Sequence, residues 1–408
     1  MHGCFFVHIA IPDGIGCTTE NWEGSRMRRL VLIVVAVGLL AGVMTVTAAA
    51  AGPEVKAKSA VLMDVQTGMI LCEQNPHEKL APASVTKVMT MLLIMEAIDS
   101  GKIGWEDPVT ASETAAAKGG SQIFLKAGET MSVSDMVKSI AVSSANDCAC
   151  AMAEHLAGSE GAFVDMMNTR AKELGMNDTH FVNCTGLDDD PAAKEHRTCA
   201  YDISLMSREL LKNHPDIKKF TTIWTDTVRG GAFGLANTNK LVRFYSGCTG
   251  LKTGFTSGAG YCLSASAQRD GLELIAVVMG AETSQDRFGA CRSLLDYGFA
   301  NYALYTPALT EEASVPVKLG HSASVRAEPA GETAILVDKG QRSSIESEVI
   351  LEESVTAPVS KGQRLGTLSV RAGEQVIAQV PLVAAEPIPR LTFWDLTVQI
   401  LRQSAMAK

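Results

Sequence analysis

Ser84 and Lys87 stand three residues apart, just after Pro82, at the start of a stretch with helical apolar spacing. Residues so spaced share one helix face, so the Lys87 amine can reach the Ser84 hydroxyl. A serine hydroxyl attacks a carbonyl only when a base takes its proton. A lysine can be that base when burial or a nearby cation lowers its pKa. A helix start also favours negative charge developing at Ser84. A second group, Ser144-Ala145-Asn146, offers a hydroxyl that can pass a proton to a leaving amine and a carboxamide that can hold a substrate amide. A third, Lys252-Thr253-Gly254, puts a cation and a hydroxyl on a strand edge, where they can bind a terminal carboxylate. Gly254 lets a backbone approach closely. Taken singly, each has a plainer explanation: a solvated helix start, a polar helix kink, an exposed edge-strand lysine. Their order and wide spacing make them specific as a set.

That set is similar to the S-x-x-K, S-x-N and K-T-G motifs shared by penicillin-binding proteins and serine β-lactamases. The stretches Ala60–Asp64, Leu80–Thr90, Gly120–Leu125, Ser143–Gly158, Phe181–Asp188, Asn237–Leu241 and Gly250–Gly260 narrow it. They resemble the low-molecular-weight penicillin-binding proteins that are serine-type D-Ala-D-Ala carboxypeptidases. The resemblance implies Ser84 as acyl-ester nucleophile, Lys87 as proton acceptor, and Ser144 with Asn146 in proton transfer and substrate binding. It implies Lys252 and Thr253 as carboxylate holders, joined by Arg287 in Asp286-Arg287-Phe288. The oxyanion hole would use the N–H groups of Ser84 and Phe255, the residue after Gly254. Ala145 stands where many members have glycine. No cofactor is implied. The implied partners are a peptidoglycan stem peptide ending in D-Ala-D-Ala, and β-lactams as covalent inhibitors. A β-lactamase is the nearest rival, since Glu173-Leu174-Gly175-Met176-Asn177 nearly matches its E-x-x-L-N motif. The run Phe181-Val182-Asn183 and Gly186-Leu187-Asp188 that follows fits the carboxypeptidases instead. A non-catalytic wall-binding protein would need a broken motif, and a cross-link endopeptidase a large insertion between the first two motifs. Neither occurs.

The elements that must position these residues are legible. Ser59 to Leu71 alternates apolar and polar residues around Gln66-Thr67-Gly68, which predicts a hairpin. Val85–Ile98 predicts a helix. Ser132–Leu156 predicts a second helical region, interrupted near Ser143-Ser144-Ala145-Asn146. Asp202–Lys212 predicts a further helix. Leu251–Thr253, Tyr261–Gln268 and Leu272–Met279 predict strands, and Arg287–Tyr302 a closing helix. Strands at both ends with helices between give an α+β catalytic domain over residues 55–305. The resemblance makes it β-lactamase/transpeptidase-like, an antiparallel sheet with helices. A small all-β domain is expected over 309–385, from the runs Ser314–Lys318, Thr333–Val337, Val349–Leu351, Leu365–Val370 and Val376–Val383. Pro387 and Pro389 then form a stiff linker into 390–408, expected as an amphipathic helix on a membrane surface. Leu391, Trp394, Val398, Leu401 and Ala405 would form its apolar stripe, widened by Phe393, Leu396 and Ile400.

Met27-Arg28-Arg29, the apolar run Leu30–Val46 and the small residues after it read as a secretory signal over 27–51. Residues 1–26 read as an upstream extension, with Met27 the true start. The expected place is therefore outside the cytoplasmic membrane. The net charge of -9 argues against nucleic acid as partner. No phosphate loop, zinc-type cysteine cluster or HExxH motif occurs, and the 8 histidines read as ordinary surface or core residues. The 10 cysteines show no regular disulfide spacing. Cys148 and Cys150 diverge on a helix, whereas Cys184 and Cys199 can pair.

Overall fold

The computed structural model describes residues 52–307, 313–331, 333–395 and 397–398. The upstream extension and the signal segment lie outside the described residues, as do Leu396, Gln399, Ile400 and everything after them.

The central sheet is antiparallel, in the order β2-β1-β9-β8-β7. Its strands are β1 (Ser59–Asp64), β2 (Ile70–Gln74), β7 (Cys248–Thr256), β8 (Gly260–Arg269) and β9 (Leu272–Ala281). Two small ribbons complete the domain: β3 (Pro108–Thr110) with β4 (Thr130–Ser132), and β5 (Thr225–Val228) with β6 (Phe233–Ala236). Successive strand residues face opposite sides of a sheet, and the central strands use both. Val61 and Met63 of β1, with Ile275, Val277 and Met279 of β9, face a core built on the helices Lys87–Asp99, Val133–Ser143, Asn146–Ala157 and Ala200–Asn213. Ala60 and Leu62, with Leu274, Ala276 and Val278, pack against Leu294, Leu295 and Phe299 of the Ser284–Asn301 helix. Burial on both faces explains why β9 reads as a continuous apolar run. In the Lys87–Asp99 helix only Glu96, Ile98 and Asp99 escape burial. A helix apolar on nearly all sides belongs in a core, and this one carries the first motif there.

The expected hairpin, the interrupted helical pair and the three closing strands all form. Two boundaries differ. Ala83–Thr86 is a 3-10 turn, and the α-helix begins at Lys87. Tyr302 does not end the last helix but starts strand β10 (Tyr302–Tyr305), which pairs antiparallel with β13 (Ile335–Asp338) of the second domain. The two domains therefore share a ladder. Lys339 adds to it by donating to the Phe299 carbonyl.

The second domain is a six-stranded sheet in the order β14-β16-β17-β12-β11-β15. Its strands are β11 (Ser314–Lys318), β12 (Ser324–Pro329), β14 (Ile345–Leu351), β15 (Val355–Thr356), β16 (Arg364–Ala372) and β17 (Gln375–Ala384). The runs read from the sequence lie in β11, β13, β14, β16 and β17, whereas β12 and β15 went unread. The proline segment is not a free spacer. Ile388 pairs with Val359, Arg390 with Gly320, and the Leu391 N–H donates to the Leu319 carbonyl. Beyond it Thr392 and Asp395 cap each other reciprocally, which is a helix-start signature. Phe393 and Trp394 are 79% and 74% exposed. Among the described residues no helix is long and apolar enough to cross a membrane.

Candidate active site

Ser84 is presented by a backbone with little freedom. Ala83 before it holds a left-handed φ of 48°, a region that residues with a side chain seldom adopt. Gly254 of β7 presses against the same turn. A Cβ on Gly254 would stand 2.7 Å from the Pro82 carbonyl and 3.1 Å from the backbone nitrogens of Ser84 and Val85. Only glycine lets strand and turn meet so closely. The first N–H groups of a helical turn have no acceptor within it, so the Ser84 N–H remains available for a substrate oxygen.

Lys87 is fully buried. Its Nζ donates to Ser84 Oγ at 2.9 Å and to the Thr185 carbonyl at 2.8 Å. Burial lowers its pKa to about 7, against an opposing pull from Asp147. Lys252, equally buried, donates to its neighbour's carbonyl at 2.8 Å. Burial, then repulsion from Lys87 and Arg287, holds it well below the ordinary lysine value. Two buried ammonium groups that repel each other cannot both keep their protons cheaply. Burial thus brings the Lys87 amine to a value at which it can exchange a proton near neutral pH, and an incoming carboxylate would favour the charged form of Lys252.

The second motif sits where the helical region breaks. Ser144 ends the Val133–Ser143 helix in a left-handed conformation, φ 64°, and Asn146 begins the next helix. The Asn146 side chain donates to the Gly119 carbonyl at 2.7 Å. Its Oδ1 is buried without a partner among the described residues. An orphaned buried acceptor costs about 1–3 kcal/mol, a cost that an incoming amide N–H would remove. Thr253 donates to the Thr238 hydroxyl at 2.6 Å. The Thr238 N–H in turn donates to the Val142 carbonyl, two residues before Ser144, so the second and third motifs are tied through Thr238. Arg287 reaches back from the last helix and donates to the carbonyls of Gly254 at 3.0 Å and Cys262 at 3.3 Å. It buttresses the third motif, and its buried Nε has no partner among the described residues. The Phe255 ring is exposed and stacks on Tyr261 at 4.3 Å.

The chain belongs to the D-alanyl-D-alanine carboxypeptidase family. That family's model matches residues 44–283, and the model of the C-terminal domain of penicillin-binding protein 5 matches 308–390. A D-alanyl-D-alanine carboxypeptidase of Bacillus subtilis is 44% identical over 345 residues, 83% of this chain and 87% of the relative. One from Escherichia coli is 33% identical over 368 residues, 86% and 90% of the two chains. The structure of penicillin binding protein 5 from Haemophilus influenzae superposes with TM-score 0.72 at 31% identity, covering 83% of this chain and 99% of its own. Family membership gives the two-domain α+β architecture its place, and it fits a serine hydrolase.

Several residues of the site were not read from the sequence. Thr185 acts through its carbonyl, for which no side-chain signal exists. Asp147 accepts the N–H groups of Ile123, Leu125 and Cys148, fixing the loop that precedes the second motif. An acidic residue in a helix's first turn was the available clue. Glu173 is exposed at a helix end and held by Arg170 at 3.1 Å, which gives the rival lactamase reading no base. All eight described cysteines carry free thiols, so Cys184 and Cys199 are not joined.

Proposed function

We propose that this protein removes the terminal D-Ala from peptidoglycan stem pentapeptides through an acyl-Ser84 ester, and that penicillin acylates the same serine. The observation that carries this reading is the 2.9 Å contact of buried Lys87 with Ser84. Ser84 Oγ attacks the carbonyl of the penultimate D-Ala while its proton passes to neutral Lys87. The Ser84 and Phe255 N–H groups stabilise the oxyanion. As the C–N bond breaks, a proton reaches the leaving amine by way of Ser144. Lys252, Thr253 and Arg287 hold the terminal carboxylate, and Asn146 a backbone amide of the peptide. Water then attacks the ester, with Lys87 again taking the proton, and releases the tetrapeptide. A cavity of about 540 Å³ is lined in part by Gly119 and Thr185, whose carbonyls accept from Asn146 and Lys87, and it offers the upstream stem peptide room. Mass spectrometry of a pentapeptide incubated with the purified protein should show loss of one D-Ala, blocked by prior penicillin treatment. An unchanged pentapeptide would refute the reading.

The protein acts outside the cytoplasmic membrane in this proposal, exported by the segment 27–51 and held to the membrane surface by 390–408. The exposed Phe393 and Trp394 support the second half, because an aromatic pair at a capped helix start suits the headgroup boundary. Deleting the residues after Pro389 should release the protein into the soluble fraction with penicillin labelling intact. A truncated protein that stays with the membrane would shift the anchor to the other end.

A further inference from the structure

The peptide joining Ala83 to Ser84 is gripped from behind by a chain of hydrogen bonds. The Thr86 hydroxyl donates to the Ala83 carbonyl at 2.8 Å. Nε2 of His196 lies 2.9 Å from the same hydroxyl oxygen. The Val182 N–H donates to Nδ1 of His196 at 3.1 Å. Elimination fixes every direction. A backbone N–H can only donate, so Nδ1 carries no proton. A carbonyl can only accept, so the single Thr86 proton points at Ala83. Nε2 therefore holds the ring proton and donates it to Thr86. His196 is almost wholly buried. Burial, reinforced by His180 and Arg197, lowers its pKa to about 4, so the ring stays neutral in this one tautomer near neutral pH.

The Ala83 carbonyl and the Ser84 N–H belong to one planar peptide group and point in opposite directions. Holding the carbonyl therefore aims the N–H. The hold is needed, because Ala83 sits at a φ of 48°, a conformation that persists only when its surroundings impose it. Gly186 closes the other side: a Cβ there would lie 1.8 Å from the Ala83 oxygen. Linked hydrogen bonds also polarise one another. Density drawn toward the Ala83 oxygen leaves the Ser84 N–H a stronger donor.

We propose that His196 and Thr86 are positioning residues that aim and polarise the Ala83–Ser84 peptide, so that its N–H stabilises the oxyanion during acylation. The proposal rests on Ser84 being the nucleophile. The test compares Thr86→Val, which keeps the shape and loses the hydroxyl, with Thr86→Ser, which keeps the hydroxyl. Stopped-flow acylation by a fluorescent penicillin separates binding from the chemical step. Infrared difference spectra with a carbonyl-labelled penicillin report the acyl-ester carbonyl. Thr86→Val should acylate about tenfold more slowly or worse, with unchanged non-covalent affinity. Its ester band should move to higher wavenumber, because a weaker donor polarises the carbonyl less. Thr86→Ser should keep the wild-type rate and band. A wild-type rate in Thr86→Val would overturn the proposal. So would a slower rate with an unshifted band, which is what a merely structural role produces. If Thr86→Val shows no cooperative melting, Thr86→Ala replaces it under the same criteria. Mapping the wild-type label to Ser84 by peptide mass spectrometry keeps the two claims apart, since a label elsewhere defeats the nucleophile reading itself.

Discussion

Ser84→Ala will carry no covalent penicillin label, and its turnover of a D-Ala-D-Ala peptide will fall by roughly a millionfold, the order expected when a nucleophile is removed outright. The expectation follows from the arrangement around Oγ. Lys87 Nζ is directed at that oxygen and at the Thr185 carbonyl. The nearest alternative in chemical terms is Ser144, whose role in the proposed mechanism is to move a proton and not to form a bond. Alanine at position 84 changes no packing, because it removes a single oxygen from the turn. The variant should therefore melt with the wild type. Covalent label on Ser144 or any other serine, found by peptide mapping, would end the assignment.

Lys87→Arg should acylate on the order of a thousandfold more slowly, the upper part of the range for losing a positioned base. Guanidinium stays protonated, so the variant keeps a donor toward Ser84 and loses the acceptor. The native enzyme should carry the matching pH signature. The base works only when neutral, and burial sets its pKa at about 7. Raising the pH through that value empties the proton from Lys87, so the acylation rate should climb about tenfold per pH unit below 7 and level off above it. An ordinary exposed lysine would instead keep the rate climbing toward about pH 10. A rate flat from pH 5 to 9 would remove Lys87 from the role of base.

The sequence made the candidate site's side chains and the main elements legible because both rest on short-range signals. S-x-x-K works by helical spacing. The hairpin and the closing strands show themselves by period or by apolar run. What stayed hidden depends on contacts between distant segments. Thr185 contributes a carbonyl that any residue type would supply. His196 is one histidine among several, and only the fold brings it to Thr86, 110 positions away. Thr238 lies in a stretch that resembles the family, yet its link to Thr253 needs the third dimension. In the second domain, β12 buries only Val325 and Ala327 and ends at Pro329, so its period is too short to stand out. The start of strand β10 looks like the end of a helix in the sequence because Tyr302 continues the apolar spacing of Leu295 and Phe299. Its ladder with β13 is a tertiary fact.

The close seat of Gly254 against Pro82, Ser84 and Val85 has a consequence for how such a protein can change under antibiotic selection. In the proposed mechanism the donors to the oxyanion are main-chain N–H groups, so no side-chain replacement at those positions deletes them. Enlarging residue 254 would push a side chain onto the turn that carries the nucleophile, and the natural substrate would suffer along with the drug. In the proposed mechanism, tolerance to β-lactams by deleting these main-chain donors is therefore closed to side-chain replacement. Routes that remain open act after the ester has formed, by admitting water to it sooner, or before it, by hindering the drug's bulky side chain at the cleft's outer rim.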